Sequence, residues 1–225
     1  MLRSAKEIRG YNLLAEDGAL GVCKDFLFDD RPWVIRYMVA DTSKWLTGKK
    51  VLVSPSSLGQ PDRDSMLFPA HLSKEQVKKA PDLNSDAPVS RQYEIAFHTF
   101  YGMPFYWDDN ITSDQVADPS SRFVGKVVSG EANEHLRSVG EISGYRVVAT
   151  DGECGFVEDF ILDDEAWDVR YLIVSINNEN SSRKHLLSPA WLGDINWAQG
   201  VLNMHMTKEQ LENTPEYDPA VPIEP

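Results

Sequence analysis

The sequence has little cysteine and no long apolar segment. Its 225 residues include two cysteines, Cys23 and Cys154, and these take different positions in the internal repeat described below. Because a shared disulfide or metal site would repeat with the rest of the sequence, we interpret both as small core thiols in a reducing compartment. No run of about 18 apolar residues occurs, and the first residues lack the apolar core of a secretory signal. These absences predict a cytoplasmic protein with no membrane span.

Positive charge is also scarce. The chain carries 22 Lys and Arg against 35 Asp and Glu, a formal net charge of −13. Nonspecific binding to nucleic acid and docking on anionic lipid both depend on basic residues, so both are disfavoured. The charge is uneven, because residues 3–81 contain 13 basic and 10 acidic residues whereas residues 137–215 contain 6 and 13. We therefore expect the two regions to attract each other, within one chain or between chains.

The main feature that the sequence does contain is a duplication. When the chain is shifted by 134 positions, residues 3–81 align with residues 137–215 without a gap, and 28 of the 79 aligned positions are identical. A single offset that holds over this length indicates two copies of one structural unit. The repeated positions for which we expect a structural role are Gly21 and Gly155, Trp33 and Trp167, Arg36 and Arg170, and Tyr37 and Tyr171.

Each copy carries the local signals of a small β-rich domain. Ser4 and Glu7 have capping-box spacing, which predicts an opening helical turn. Asp17-Gly18 is a hairpin dipeptide between apolar segments, and the repeated glycine that follows it is typical of a bulge or a barrel bend. After several β-rich runs, Ser73 begins a second capping box and a short helix. Five or six short strands with frequent turns favour a small closed barrel with a separate core in each copy.

The segment between the copies contains a predicted helix. Ser90 caps a helix that reaches Tyr101, and Gly102 stops it. Its aromatic residues fall on one helical face, which either packs on its own barrel or contacts the other barrel or a second chain. A further aromatic cluster follows, and it suits an interface hot spot or a plug in a barrel mouth. Residues 111–135 lack periodicity and predict a flexible linker. The candidate interface residues are Tyr93, Phe97, Phe100, Tyr101, Phe105, Tyr106 and Trp107.

Taken together, the repeated motifs resemble the PRC-barrel family. The aromatic segment between the copies also resembles the stretch that joins two barrels in bacterial tandem members. The resemblance implies a β-barrel adaptor that binds protein partners and has no chemistry of its own. The transmembrane anchor and the separate N-terminal domain of specialised members have no counterpart in the motifs, so neither specialised role is carried over. The matching motifs, each with a counterpart 134 residues later, are Gly10-Tyr11, Asp17-Gly18, Asp25-Phe26, Trp33-x-x-Arg36-Tyr37, Ser54-Pro55 and the helix begun by Ser73.

The acidic and nucleophilic residues form no recognisable catalytic or metal motif. Asp29-Asp30 and Asp163-Asp164 lack the spacing of a calcium loop, so we interpret both pairs as solvated hairpin turns. The sequence contains no nucleophile elbow, no phosphate-binding loop and no Cys–His arrangement. These absences predict that the protein is not an enzyme.

The repeated arginines and tryptophans favour a structural interpretation. Arg36 and Arg170 alternate with apolar neighbours along a predicted strand, and we expect them to pair with Asp25 and Asp159, which repeat with them. The tryptophan of each copy is a large apolar side chain that suits a barrel core or an interface better than a cofactor. These pairs therefore predict stability contacts within each copy.

We predict a mainly β protein with two small PRC-type β-barrels, each with a short C-terminal helix, joined by a connector that contains an α-helix. The predicted function is that of a noncatalytic protein-binding adaptor, either a homodimer or a tightly packed two-barrel unit, with no cofactor and no metal. The alternatives are a ribosome- or RNA-associated factor, and a small-ligand binder or enzyme whose site lies between the barrels. Whether the equivalent residues His71 and His205 share a role stays open, since neither has a second ligand at metal-site spacing. The predicted divisions are the first barrel 1–81, the connector 82–136, the second barrel 137–215 and an acidic tail 216–225.

Overall fold

The structure is mainly β, with short helices at the ends of each copy. A computed structural model describes residues 1–43, 46, 50–81, 89–107, 135–178, 181–221 and 223. The predicted linker lies outside these residues except at position 135, so its flexibility stays a prediction. In the part of the chain that the structure describes, no helix is long and apolar enough to cross a membrane.

The two copies have nearly the same order of elements. The first consists of β1 (Leu2–Ser4), α1 (Ala5–Ile8), β2 (Asn12–Ala15), β3 (Gly18–Asp29), β4 (Val34–Asp41), β5 (Lys50–Val53), β6 (Leu67–Pro69) and α2 (Lys74–Lys79). The connector contributes helix α3 (Arg91–Tyr101). The second copy consists of β7 (Leu136–Ser138), α4 (Val139–Ile142), β8 (Arg146–Ala149), β9 (Gly152–Asp163), β10 (Val169–Asn178), β11 (Ser181–Leu187), β12 (Leu192–Asn196), β13 (Val201–Met204) and α5 (Lys208–Glu212).

Capping side chains set where the short helices begin. The Ser4 hydroxyl accepts a hydrogen bond from an amide of α1, as the sequence predicts. Ser73 and Gln76 form a complete capping box at the start of α2, and Thr207 and Gln210 form the same box at the start of α5. Because helices of this length are not stable alone, these caps and the packing of one buried side chain per turn hold them in place.

The repeated glycines mark a close approach between strands. A Cβ at Gly21 would overlap the carbonyl oxygen of Asp41, and a Cβ at Gly155 would overlap that of Ser175. In both copies the pairing between the hairpin strands shifts by one residue beside the glycine. The predicted bulge is therefore confirmed, and the position beside it requires glycine because no side chain fits against the neighbouring backbone.

The strands form two sheets that exchange their first strands. The first sheet has the order β5-β4-β3-β2-β6, and β7 of the second copy pairs with β3. The second sheet has the order β11-β10-β9-β8-β13-β12, and β1 of the first copy pairs with β9. The pairs are antiparallel except β2 with β6 and β8 with β13. Among the described residues neither strand order returns to its first strand, so closure of each sheet into a barrel stays a prediction.

The cores of the two copies are continuous. A single cluster of buried apolar side chains contains residues of both copies. The ring of Phe28 lies 5.8 Å from that of Phe160. Trp167 lies 6.1 Å from Phe26 and 6.0 Å from Phe68, both in the first copy. The expectation of two separate cores is therefore wrong, because aromatic side chains from each copy are buried against the other.

Candidate functional site

The exchanged strands are held by equivalent aspartates in each direction. Asp159 of β9 accepts hydrogen bonds from the Ser4 hydroxyl and, at 3.0 Å, from the backbone amide of Lys6. Asp25 of β3 accepts hydrogen bonds from the Ser138 hydroxyl at 2.5 Å and from the backbone amide of Gly140 at 2.9 Å. Burial raises the pKa of Asp159, and the hydrogen bonds from Ser4 and the neighbouring amides oppose this effect. Each aspartate therefore caps the first helix of the other copy.

Two buried acidic side chains tie the same strands by ion pairs. Asp164 lies 2.5 Å from Arg3 and 2.7 Å from the N-terminal ammonium, and its side chain is 1% exposed. Asp30 lies 2.9 Å from Arg137 and 3.0 Å from His135, and its side chain is 8% exposed. The prediction of solvated hairpin turns is thus wrong for the second acid of each pair. The arginine partner comes from the other copy, so the acid pair alone did not indicate it.

The repeated tryptophans provide a third contact between the copies. Trp33 and Trp167 both lie in the left-handed backbone region, with φ of 58° and 56°. This region is unfavourable for a bulky residue and is retained only where the surroundings enforce it. Here the carbonyl of Trp33 accepts from the Val169 amide and that of Trp167 accepts from the Ile35 amide, each at 2.7 Å. The unusual backbone therefore supplies reciprocal hydrogen bonds across the junction.

The repeated arginines have different surroundings in the two copies. Arg36 Nη2 lies 3.5 Å from Asp29, whereas Arg170 lies 3.0 Å from Asp163 and 2.9 Å from Asp168. The expected pairing with the strand aspartates is wrong, because those aspartates bind the exchanged strands. The guanidinium of Arg36 instead stacks on a connector ring, that of Tyr106, at 3.9 Å.

Helix α3 packs on the first copy, which is the first of the two predicted alternatives. Phe97 is buried and meets the ring of Tyr37 edge-on at 5.3 Å. Val39 and Leu52 of the same copy belong to this second apolar cluster. Phe100 points outward and is 41% exposed, so the aromatic residues do not all lie on the packed face.

The candidate interface aromatics are mostly part of this internal packing. Phe97 and Phe105 are each 1% exposed. Of the seven side chains, that of Phe100 is exposed and the other six are buried or half-buried. The connector therefore does not present them together as one surface for a partner. The half-buried members are Tyr93, Tyr101, Tyr106 and Trp107.

Beneath the connector lies a buried polar network that the sequence patterns did not predict. The Tyr37 hydroxyl lies 3.1 Å from Glu94 Oε1 and 2.8 Å from His98 Nε2. The Tyr106 hydroxyl donates to Glu94 Oε1 at 2.5 Å, and Arg91 lies 3.0 Å from Glu94 Oε2. Glu94 is fully buried. The spacing of Glu94 and His98 by four residues within an aromatic helix was the available signal, since such residues share a helical face.

The geometry fixes where the proton of His98 sits. Its Nδ1 lies 2.6 Å from the carbonyl of Pro104, which can only accept, so Nδ1 carries a proton. Burial lowers the pKa of His98, and the Arg91 and Arg36 guanidiniums lower it further against the Pro104 hydrogen bond. In the neutral ring Nε2 can only accept, so His98 Nε2 and Glu94 Oε1 compete for the single proton of the Tyr37 hydroxyl. Burial also raises the pKa of Tyr37, so that hydroxyl stays protonated.

A cavity of about 320 Å³ opens beside this network, at the junction of the copies. Residues 34–36 of β4 and the turn at Ser54–Ser56 form one side. The segment after α3, including Met103 and Tyr106, forms a second side, and the turn that carries Trp167 closes it from the other copy. Most of its lining is apolar, which is typical of a small-molecule site with a few polar groups.

Other residues singled out in the sequence lie apart from this cavity. His71 and His205 are both exposed, at equivalent places in the two copies. Within the described ranges no group of three or more His, Cys, Asp and Glu side chains is arranged to hold a metal ion. Burial raises the pKa of Cys23 above its usual range and that of Cys154 to about 11, so both thiols are protonated at neutral pH.

Comparison with known proteins does not assign a family. The chain matches no protein-family model, and no curated protein matches it. The resemblance to PRC-barrel proteins therefore depends on the repeated motifs themselves and enters only as part of a proposal.

Proposed function

We propose that this protein is a noncatalytic adaptor of the PRC-barrel type, in which two small barrels act as one platform that binds a protein partner. The observation that carries the proposal is the reciprocal strand exchange. This exchange joins both copies through a common core, an arginine–aspartate ion pair in each direction and reciprocal backbone hydrogen bonds. A platform with fixed geometry binds at a lower entropic cost than two domains on a linker.

Two exposed aromatic side chains are candidate anchors for the partner. Phe100 on α3 is 41% exposed, and Trp191, which follows Pro189 in the second copy, is 50% exposed. Aromatic residues dominate the binding energy of many protein interfaces. The remaining connector aromatics support the platform from inside.

Site-specific cross-linking tests this proposal. We would place a photo-reactive residue at position 100 or 191 of the full chain, identify the cross-linked protein, and measure its affinity with purified components. Replacing the anchor, Phe100→Ser or Trp191→Ser, should weaken binding more than about tenfold, whereas Gln60→Ala at an exposed polar position should not. If the chain cross-links to no protein at either position, or if neither substitution weakens binding, the proposal is wrong.

The same geometry favours a monomer over the homodimer. Each exchanged strand already finds its partner sheet within the chain. We therefore propose the tightly packed two-barrel unit, with a solution mass near 25.4 kDa. Light scattering at twice that mass would favour the homodimer instead.

A further inference from the structure

The junction cavity places a cation beside an apolar wall. Arg36 lines it, with a side chain that is 21% exposed. The apolar surface comes from Pro55 of the first copy, Met103 of the connector and Trp167 of the second copy. The hydroxyls of the serines on either side of Pro55 are polar groups on the same wall. This combination suits a ligand with an apolar body and an anionic end.

The second copy shows what the arginine of the first copy lacks. Arg170 meets two carboxylates, and its Nε lies 2.9 Å from Asp168. The position equivalent to Asp168 in the first copy is Val34, which has no carboxylate and instead lines the cavity. Among the described residues Arg36 has one ion-pair partner, Asp29. The distance of 3.5 Å between them is longer than the hydrogen bond of a strong ion pair.

The hydrogen bonding of Arg36 also reflects the missing carboxylate. Its Nε is buried and has no hydrogen-bond partner in the described part of the chain. A guanidinium offers five N–H donors in a planar fork, and a carboxylate matches that fork with two oxygens. A buried donor without an acceptor is unfavourable, so a ligand oxygen at this place would be stabilising.

We propose that the junction cavity binds a small organic monocarboxylate. The carboxylate takes the place at Arg36 that Asp168 takes at Arg170, and the apolar body lies between Met103 and Trp167. The volume of about 320 Å³ lies at the small end of ligand pockets, so the ligand is of fatty-acid-fragment or aromatic-acid size. This binding is independent of the protein partner proposed above and needs no chemical step.

Calorimetric titration of the full chain with hexanoate tests the inference. Three probes of related structure serve as controls: 1-hexanol has the same body without charge, hexylamine has the opposite charge, and acetate has the carboxylate without the body. Hexanoate should bind at least about tenfold more tightly than each of them, because a charge-assisted pair and an apolar contact are both required. Absence of hexanoate binding, or equal binding of 1-hexanol, would overturn the inference.

Matched variants locate the site. Arg36→Gln should weaken hexanoate binding about tenfold or more, and Arg170→Gln, the equivalent change outside the cavity, should leave it unchanged. Ala166→Phe fills the cavity from an exposed turn of the second copy and leaves Arg36 unchanged in sequence, and it should abolish binding. Ala190→Phe, on an exposed turn away from the cavity, is its control. If Arg36→Gln does not fold, the pair at 166 and 190 decides, and retained binding in Ala166→Phe contradicts the inference.

Discussion

The two copies share a fold but differ in what covers the strand that carries the repeated Arg-Tyr pair. In the first copy Tyr37 is 1% exposed beneath helix α3, and Arg36 is covered by Tyr106. In the second copy Tyr171 is half-buried, and the Arg170 side chain is 47% exposed. The same residues on the same strand thus become a buried network with a cavity in one copy and a solvated ion pair in the other. The difference shows that the connector, rather than the repeat, creates the candidate site.

The largest effect should come from the tryptophan that crosses the junction. Trp167 is 8% exposed and packs on two aromatic rings of the other copy, whereas Trp33 is half-buried and stacks on Phe28 of its own copy. Trp167→Ala should lower the free energy of unfolding by about 4 kcal/mol, because it leaves a cavity in the common core. Trp33→Ala should cost clearly less. Urea unfolding of both variants measures this, and equal losses would contradict the asymmetry.

The buried acids should come next. Asp164→Asn removes a charge that two cations share, and leaving Arg3 partly buried without its partner should cost about 3 kcal/mol. Asp30→Asn should cost somewhat less, because its partner Arg137 is 25% exposed against 13% for Arg3. Thermal or urea unfolding gives both values. Losses below about 0.5 kcal/mol in both variants would mean that the ion pairs do not hold the exchanged strands.

The two equivalent tyrosines provide a smaller and more specific comparison. Tyr37→Phe removes the hydroxyl that lies between His98 and Glu94. Glu94 keeps Tyr106 and Arg91, whereas His98 Nε2 becomes a buried acceptor without a donor, so the change should cost about 1–2 kcal/mol. Tyr171→Phe should change stability by less than about 0.5 kcal/mol, since a half-buried position loses little. Denaturant unfolding at neutral pH measures both. A larger loss for Tyr171→Phe would contradict the account of the connector network.

The smallest effect is a dependence on pH. Burial holds the pKa of His98 below the unfolded value of 6.5, so the unfolded chain binds a proton that the folded chain does not. The contribution of His98 to stability is therefore complete above pH 6.5 and is lost as the pH falls below it, by at most about 1.4 kcal/mol per pH unit. Unfolding free energies of wild type and His98→Gln between pH 7.5 and 5 test this, with pH values chosen to span that titration. If both chains lose stability equally, His98 is not the group responsible.

Much of the fold within each copy could be predicted because its signals are local. The capping boxes and the bulge beside Gly21 depend on residues a few positions apart, and the structure contains both. The strand exchange could not be predicted. Leu2-Arg3-Ser4 and Leu136-Arg137-Ser138 are identical, so each first strand fits either sheet, and only the three-dimensional arrangement decides between them.

The candidate site was less accessible to sequence reasoning. The aromatic face of the connector was recognised, but the polar residues beside it were not, because Glu94 and His98 become partners only when Tyr37 is brought to them from β4. The alignment of the copies shows Val34 where the second copy has Asp168. The consequence of this difference is clear only once the structure shows that Asp168 pairs with Arg170.

The most direct test of the account is to cut the chain between its two copies. We would insert a specific protease site between residues 111 and 133, cleave the folded protein, and measure its mass by size-exclusion chromatography with light scattering. The exchanged strands predict that both fragments stay together as one particle near 25.4 kDa and separate only in denaturant. Two smaller particles under native conditions would show that each copy folds alone and would contradict the central claim.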